Sequence, residues 1–312
     1  MRDIPVLVIG FNRPQLMENL LENLKVNGFK KLYVALDGPR NETDIADCRE
    51  TYEIVQSQKK FFELSLLSRT YNLGCCLGVI SAIDWFFGIN EVGIIIEDDC
   101  LPDSEFYKII ANNIEESVDA HSKNLEIFTA HNPFEFDFDD RITRSALIHG
   151  WATHSFVWTR IRKGFFKLTL PCWKNTANER RPISSAFYWW ANSTRAKLGI
   201  VDTWDGIFAD NAWRHGVNTV IPHRNLVKNL GFGPSATHTK NVVDSNLVKL
   251  PLHILQNYPL NYLLDKYYFQ IKSHHIVKAL ARVVLDLIKL PTLQKYEKRL
   301  IQDTLDRSIE LP

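Results

Sequence analysis

Residues 93–107 read GIIIEDDCLPDSEFY. Three consecutive isoleucines bounded by polar residues mark a strand buried on both faces. That strand runs directly into three adjacent carboxylates, Glu97, Asp98 and Asp99. Like charges gathered at the end of a buried strand repel one another, so one would normally protonate or the strand would fray. A divalent cation removes the difficulty, because Mg2+ and Mn2+ prefer hard oxygen ligands and commonly take one or two carboxylates together with substrate phosphates. The competing reading is an exposed acidic turn in which Asp103 caps the next helix. An exposed turn does not need a fully apolar strand aimed at it, which favours the cation.

Working outward, the first hundred residues alternate between strand and helix signals. IPVLVIGF (4–11), KKLYVALDG (30–38), FELSLLSR (62–69) and VGIIIEDD (92–99) are strand-length apolar runs. Between them, RPQLMENLLENLKVNG (13–28), ETDIADCRETYEIVQSQKK (42–60) and GCCLGVISAIDWFFGIN (74–90) carry helical periodicity. Buried strands alternating with helices predict an α/β fold with a mostly parallel central sheet flanked by helices. Ligands of such sheets lie outside the carboxyl ends of the strands. The residues placed there are Asn12-Arg13, Asp37-Gly38, Arg69 with Asn72, and Glu97 to Asp99. Four strand ends therefore deliver polar and charged groups to one edge. NLEIFTAHN (124–132) predicts a further strand, and HHIVKALARVVLDLIKL (274–290) an amphipathic helix.

The composition excludes several classes. The chain has 312 residues with a formal net charge of +1, so a basic excess of the kind duplex binders show is absent and no nucleic-acid partner is expected. Five cysteines without a CxxC spacing argue against a disulfide framework or a zinc site and point to a reducing cytoplasm. The apolar run at the N-terminus is too short for a signal sequence or a membrane span, and no later run reaches the length of a span. IGFNRP lacks the second glycine of a dinucleotide fingerprint, and neither a P-loop motif nor a GxSxG elbow occurs.

PVLVIGFNRP, ALDG, NLG, IIIEDDCLPDSEFY, HGWATHSFVWTR, WDGIFADNAWRHG and NLGFGPSATHT, in this order, resemble a GT-A nucleotide-sugar glycosyltransferase. Within that fold they most resemble the inverting, metal-dependent N-acetylglucosaminyltransferase I family and its bacterial relatives. The resemblance spans roughly residues 4 to 240 and implies a Rossmann-like GT-A domain over 1–241. Its nucleotide-sugar half would be 1–100 and its acceptor half 101–241, with a helical C-terminal appendage over 242–312. It further implies that Asp99 ligates Mn2+ (or Mg2+) and that Asp98 and Glu97 serve ribose and metal-bound water. Asp37 would reach the uracil of a UDP-sugar, Arg13 would lie near the nucleotide or its phosphates, and Arg69 and Asn72 would line the donor pocket. Asp205 would be the general base for the acceptor hydroxyl, and His238 would sit near metal and diphosphate. The acceptor implied is a glycan or lipid-linked glycan of bacterial polysaccharide synthesis.

Several of these residues have plainer roles available. Asp205 could be only a helix N-cap, Asp210 is the runner-up base, His131 and His149 could be structural, and Trp151 could be core. The basic, apolar helix near the C-terminus could lie on an anionic leaflet, placing a cytoplasmic enzyme at the inner face of the membrane. It could equally pack on the catalytic domain or on a second subunit. Two other functions stay open: a nucleotidyltransferase that builds the sugar nucleotide, for which GFNRPQ is a poor phosphate loop, and a non-catalytic nucleotide- or carbohydrate-binding module.

Overall fold

The computed structural model describes residues 4–119, 125–139, 141–231, 247–272 and 274–288. The chain begins β1 (Val6–Gly10), α1 (Pro14–Val26), β2 (Lys31–Leu36), α2 (Ile45–Ser57), β3 (Glu63–Ser68), α3 (Gly74–Phe87) and β4 (Val92–Glu97). Every strand and helix expected in the first hundred residues is present. Then follow β5 (Cys100–Pro102), α4 (Phe106–Asp119), β6 (Glu126–Thr129), β7 (Ile142–Thr143), β8 (Trp151–His154), α5 (Ser155–Arg162) and α6 (Ile183–Lys197). The remaining elements are α7 (Asp205–Arg214), β9 (Asn218–Val220), β10 (Val227–Asn229), α8 (Leu252–Asn257), α9 (Leu260–Leu263) and α10 (His275–Ile288).

Eight strands form one sheet in the order β3-β2-β1-β4-β8-β6-β9-β7, while β5 and β10 pair as a separate antiparallel ribbon. The pairings β1·β2, β2·β3, β1·β4 and β6·β9 are parallel, and β8 and β7 run against their neighbours. The strand order reverses between β1 and β4, which opens a crevice at the carboxyl ends of those two strands.

Strand alternation fixes what faces the crevice. On β4, Ile94 and Ile96 join the core built with Met17, Leu20, Leu21 and Leu24 of α1. Ile95 joins the opposite core with Ile80, Ile83 and Phe86 of α3. Burying each isoleucine contributes about 1.5–3 kcal/mol, which pins the register of β4. Because side chains alternate, Glu97 follows Ile95 toward the α3 side and Asp98 follows Ile96 toward the α1 side. Backbone pairing continues past the strand, with the Asp98 amide donating to the Ile9 carbonyl at 2.9 Å.

The segment from 247 onward is folded against the rest of the chain. Leu255, Leu260, Leu263 and Leu264 share a core with Phe134, Phe138, Leu147 and Ile221. A buried ion pair joins the two parts: Arg181 Nη1 lies 3.3 Å from Asp265 Oδ1, with neither side chain more than 1 % exposed. The Ser185 hydroxyl donates to Asp265 Oδ2 at 2.7 Å. Of the alternatives for the C-terminal amphipathic helix, packing on the domain is the one seen. Ala279 and Val283 of α10 pack on Trp190 and Ala191 of α6, and Arg195 pairs with Asp286 at 2.7 Å. The outward residues Val277, Leu280, Val284 and Leu285 are exposed. Among the described residues no helix is long and apolar enough to cross a membrane, and all five cysteines are free.

Removing one member of a buried ion pair strands the other charge. Asp265→Ala is therefore expected to destabilise the chain by about 3–5 kcal/mol in urea unfolding. An exposed pair serves as the control: Glu22→Ala, which breaks the surface pair with Lys25, should cost no more than about 1 kcal/mol. Equal costs would mean that the Arg181–Asp265 pair does not hold the C-terminal segment in place.

Candidate functional site

A cavity of about 320 Å3 opens at the reversal of strand order. Its walls include Gly10, Phe11 and Arg13 at the end of β1, Asp37 and Arg40 at the end of β2, Arg69 and Asn72 at the end of β3, and Glu97, Asp98 and Asp99 at the end of β4. The four strand ends singled out in the sequence thus meet on one cavity. Their tight approach requires glycine in places. A Cβ at Gly38 would collide with the Tyr71 backbone, and one at Gly231 with the Asp99 carboxylate.

At the acidic triplet, Arg13 Nη1 stands 3.0 Å from Asp98 Oδ1 and 3.0 Å from Asp99 Oδ2. One guanidinium therefore serves two carboxylates, and the third, Glu97, has no comparable ion pair among the described residues. Burial, with the adjacent Asp99 and Asp98 charges, pushes the Glu97 carboxyl up to about 8. Burial likewise pushes Asp98 up to about 6 against the pull of Arg13. With Glu97 protonated at neutral pH, Asp98 and Asp99 facing the one Arg13 cation still leave a net negative charge and a surplus of hard oxygen donors, which fits a divalent cation. Among the described residues no group of three His, Cys, Asp or Glu side chains is arranged to hold a metal by itself. A cation at this edge would have to complete its shell with oxygens from outside the protein.

The first turn of α3 forms another wall. The opening N–H groups of a helix lack intrahelical acceptors, and here two carboxylates take them. Asp37 accepts from the amides of Leu73 (3.0 and 3.1 Å) and Gly74 (3.1 Å), and also from Gly38 (3.1 Å). Asp202 accepts from Cys75 (3.0 Å) and Cys76 (2.8 Å). Each capping interaction is worth about 0.5–2 kcal/mol. The Asp37 carboxyl is nonetheless pushed up to about 6, because burial outweighs these donors and Arg69. Gly74 has φ +82°, and a Cβ there would strike the Asp202 carboxylate. Asn72 donates to the Gly38 carbonyl at 2.8 Å, and Arg69 donates to the Ser81 hydroxyl at 2.8 Å.

Asp205 is exposed as the first residue of α7, where its carboxylate accepts from the Thr203 hydroxyl and from the Gly206 amide. Asp210, the runner-up base, is 1 % exposed and paired with Arg214 at 2.9 Å and Lys197 at 3.8 Å, so it is a buried ion-pair member and not a surface residue. Trp151 is fully buried, with its ring 6.3 Å from that of Trp204, as core packing requires. His238 lies outside the described residues. Asp103 accepts the Glu105 amide at 2.9 Å just ahead of α4, so the local capping role coexists with the cleft.

Other contributors have no role assigned from the sequence, although Asn229 and Gly231 open the NLGFGPSATHT stretch quoted there. Asp202 and Arg40 line the cavity, as do Asn229 and Gly231, which the β5·β10 ribbon carries beside Asp99. The Leu230 amide donates to the Asp99 carbonyl at 2.6 Å. Arg40 grips Asp44 through Nε at 2.8 Å and Nη2 at 2.9 Å, with its guanidinium 4.9 Å from the centre of the Phe11 ring. His149 also lines the cavity and lies 5.0 Å, ring to ring, from His131. His131 is held by Asn225 at 3.1 Å and the Tyr268 hydroxyl at 3.2 Å, and burial beside His149 pushes it down to about 3, leaving it neutral. The C-terminal segment therefore reaches to the residue behind the cavity wall.

The raised Glu97 carboxyl has a consequence for stability. The folded chain keeps a proton that the unfolded chain gives up, so stability falls as pH rises from the ordinary value of 4.5 to about 8. Urea unfolding in chelator should show this decline, and Glu97→Gln should flatten it. A Gln variant whose profile runs parallel to the wild type would mean that Glu97 is ionised throughout the range.

No protein-family model matches this chain, and no curated protein does. Solved structures do match, at low similarity. One is a UDP-glucose pyrophosphorylase in its apo form, at 8 % identity over 73 % of this chain and 93 % of that one, with a TM-score of 0.39. Another is a Bacillus anthracis protein described as a glucose-1-phosphate thymidylyltransferase, in complex with a sucrose, at 10 % identity over 75 % and 91 % of the two chains, with a TM-score of 0.37. A third is HddC from Yersinia pseudotuberculosis, at 14 % identity over 49 % and 77 %, with a TM-score of 0.32. The first two bear the names of nucleotidyltransferases, the alternative class, and not of N-acetylglucosaminyltransferases. At these scores the likeness is remote, and the mixed α/β architecture rests on this chain's own sheet order.

Proposed function

We propose that the cleft at the ends of β1, β2, β3 and β4 binds a nucleotide sugar, in the first instance a UDP-sugar, and that the chain transfers the sugar to a hydroxyl of a glycan or lipid-linked glycan. The observation that carries this is the convergence on one cavity of a carboxylate triplet and the cations Arg13, Arg40 and Arg69 from separate strand ends. Such a mixture suits a ligand that carries both a diphosphate and sugar hydroxyls. A cation-only pocket would suit a bare phosphate, and an apolar one a lipid.

Sugar transfer from a nucleotide expels a diphosphate, and neutralising that developing charge is the largest contribution expected of the site. Arg13, Arg40 and Arg69 offer positive charge on the strand-end side. A Mn2+ or Mg2+ ion held by Asp99, when bound, would add further charge to the leaving group. Asp37 and Asn72 fix the β2 and β3 loops that would receive the base and ribose. Asp205 supplies the carboxylate that accepts the acceptor's proton, and one base with no protein nucleophile corresponds to inversion. A lipid-linked acceptor accords with the exposed apolar residues of α10, which lie beside the exposed Lys278 and Arg282.

The second reading is nucleotidyl transfer that builds the sugar nucleotide. Arg13 and Arg40, on the loops after β1 and β2, are the feature that favours it, since they could receive a triphosphate. The two reactions differ in product: glycosyl transfer releases the nucleoside diphosphate, and nucleotidyl transfer releases pyrophosphate.

Thermal unfolding with UDP, GDP, CMP or dTDP, with and without Mn2+, tests the donor site. UDP with Mn2+ is expected to stabilise the wild type by about 2.7 kcal/mol at a hundred times its dissociation constant, and to leave Asp99→Ala unchanged. Asp205→Asn should keep that stabilisation and lose about 10²–10⁴-fold in turnover. Absence of stabilisation by every nucleotide would overturn the reading, and pyrophosphate release would transfer it to the second.

A further inference from the structure

Two segments that adjoin α6 carry apolar side chains the fold leaves uncovered. α10 turns Ala279 and Val283 onto Trp190 and Ala191 of α6. On its outward side Val277, Leu280 and Val284 recur at helical spacing, so they form one stripe, and they are 71 %, 42 % and 54 % exposed. The loop between α5 and α6 exposes Leu168, Leu170 and Trp173. Loop and helix meet on one residue. The Trp190 indole N–H donates to the Thr169 carbonyl at 2.6 Å, while the same side chain packs with Ala279 and Val283. The Lys197 ammonium, also on α6, donates to the Lys167 carbonyl at 3.2 Å and holds the loop to that helix.

The charge around these segments is of one sign. Residues 155–198 and 266–285 hold thirteen of the chain's 37 Lys and Arg but one of its 36 Asp and Glu. That one, Glu179, accepts from the Trp213 indole and lies 3.4 Å from Arg181 Nε. The carboxylates bordering the second stretch are likewise spent inside the fold, Asp265 on Arg181 and Asp286 on Arg195. Lys163, Lys167, Lys174, Lys278 and Arg282 are all exposed. A chain close to neutral as a whole therefore carries a cationic region studded with aliphatic side chains. An apolar groove on a partner protein would receive the leucines and leave the cations unopposed. An acidic protein would receive the cations and leave the leucines in water. An anionic bilayer takes both, with the apolar side chains among the acyl chains and the lysine stems reaching back to the phosphates.

We propose that the loop over 167–174 and the outward face of α10 together form a docking surface for an anionic lipid membrane, on which the chain rests without crossing it. This surface goes beyond the chemistry of the cleft and holds whichever reaction the cleft performs. Ala186 and Trp189 of α6 also pack with Ala209 and Trp213 of α7, the helix that begins at Asp205. The docked face and the base proposed above are thus joined through one helix.

The test is flotation of the full chain with vesicles of phosphatidylcholine alone and with vesicles of an equal mixture of phosphatidylcholine and phosphatidylglycerol. The wild type is expected to float with the mixed vesicles and not with the neutral ones, and to bind more weakly as salt is added. Lys278→Gln combined with Arg282→Gln should weaken binding about 10-fold or more. Leu280→Glu combined with Val284→Glu, and separately Leu170→Glu in the loop, should each weaken it by about the same factor. All five positions are exposed, so native circular dichroism is expected of every variant. A wild type that stays unbound with mixed vesicles overturns the proposal. Unchanged flotation of Leu170→Glu overturns the joint surface. Should the glutamate variants not fold, the Gln pair decides, and undiminished binding overturns the proposal. A wild type that sediments as a dimer, becomes a monomer in Leu280→Glu with Val284→Glu and floats with neither vesicle would assign the face to a second copy of the chain, again overturning it.

Discussion

The guanidinium of Arg13 between Asp98 and Asp99 holds together the part of the molecule on which everything else converges. It joins the loop after β1 to the end of β4, the two strands between which the sheet order reverses. Without a cation, three carboxylates could not be held at the end of a strand whose isoleucines are no more than 1 % exposed. The burial of Ile94, Ile95 and Ile96 fixes the register. The register sends Glu97 and Asp98 to opposite sides, and Arg13 offsets part of the repulsion that results. What remains is a negative surplus of hard oxygens at the mouth of a cavity.

A second constraint couples the two halves of the chain across that cavity. Asp37, from the end of β2, and Asp202, from the segment before α7, divide between them the first N–H groups of α3. The helix terminus is thereby neutralised by the protein's own carboxylates. For the diphosphate of the proposed ligand, compensating charge would therefore come from side-chain cations or a bound metal and not from this helix end. The same arrangement fixes the segment that leads to Asp205. The cavity wall and the proposed base are thus tied to one helix, so a shift of α3 would move both.

The segment from 247 to 272 contributes more than an appendage would. It fills a core with Phe134, Phe138, Leu147 and Ile221, is tied down by the Arg181–Asp265 pair, and sends the Tyr268 hydroxyl to His131. His131 stays neutral in that setting and packs against His149, which lines the cavity. This segment and the earlier part of the chain therefore meet directly behind the cavity.

The alternation of strands and helices, the parallel character of β1 to β4 and the gathering of polar groups at four strand ends were all legible in the sequence. Each follows from local periodicity and from the rule that parallel strands point their carboxyl ends to one edge. Arg13, Asp37, Arg69, Asn72 and the triplet could be placed on that edge for the same reason. Asp202, Arg40 and Tyr268 could not, because no local pattern marks them, and Asn229 and Gly231 lay in a quoted stretch with nothing local to say that it reaches Asp99. Asp202 sits in an irregular segment and reaches α3 from 126 residues away. Asn229 arrives through a short ribbon with β5, and Tyr268 through the docking of the C-terminal segment. Periodicity reports which face of an element is buried, so the sequence determined the sheet and the edge at which chemistry can occur. Which side chains from distant segments meet at that edge, and which carboxylates are spent on Arg13 and on the first turn of α3, only the tertiary structure decided, because those pairings depend on chain crossings that no local pattern encodes.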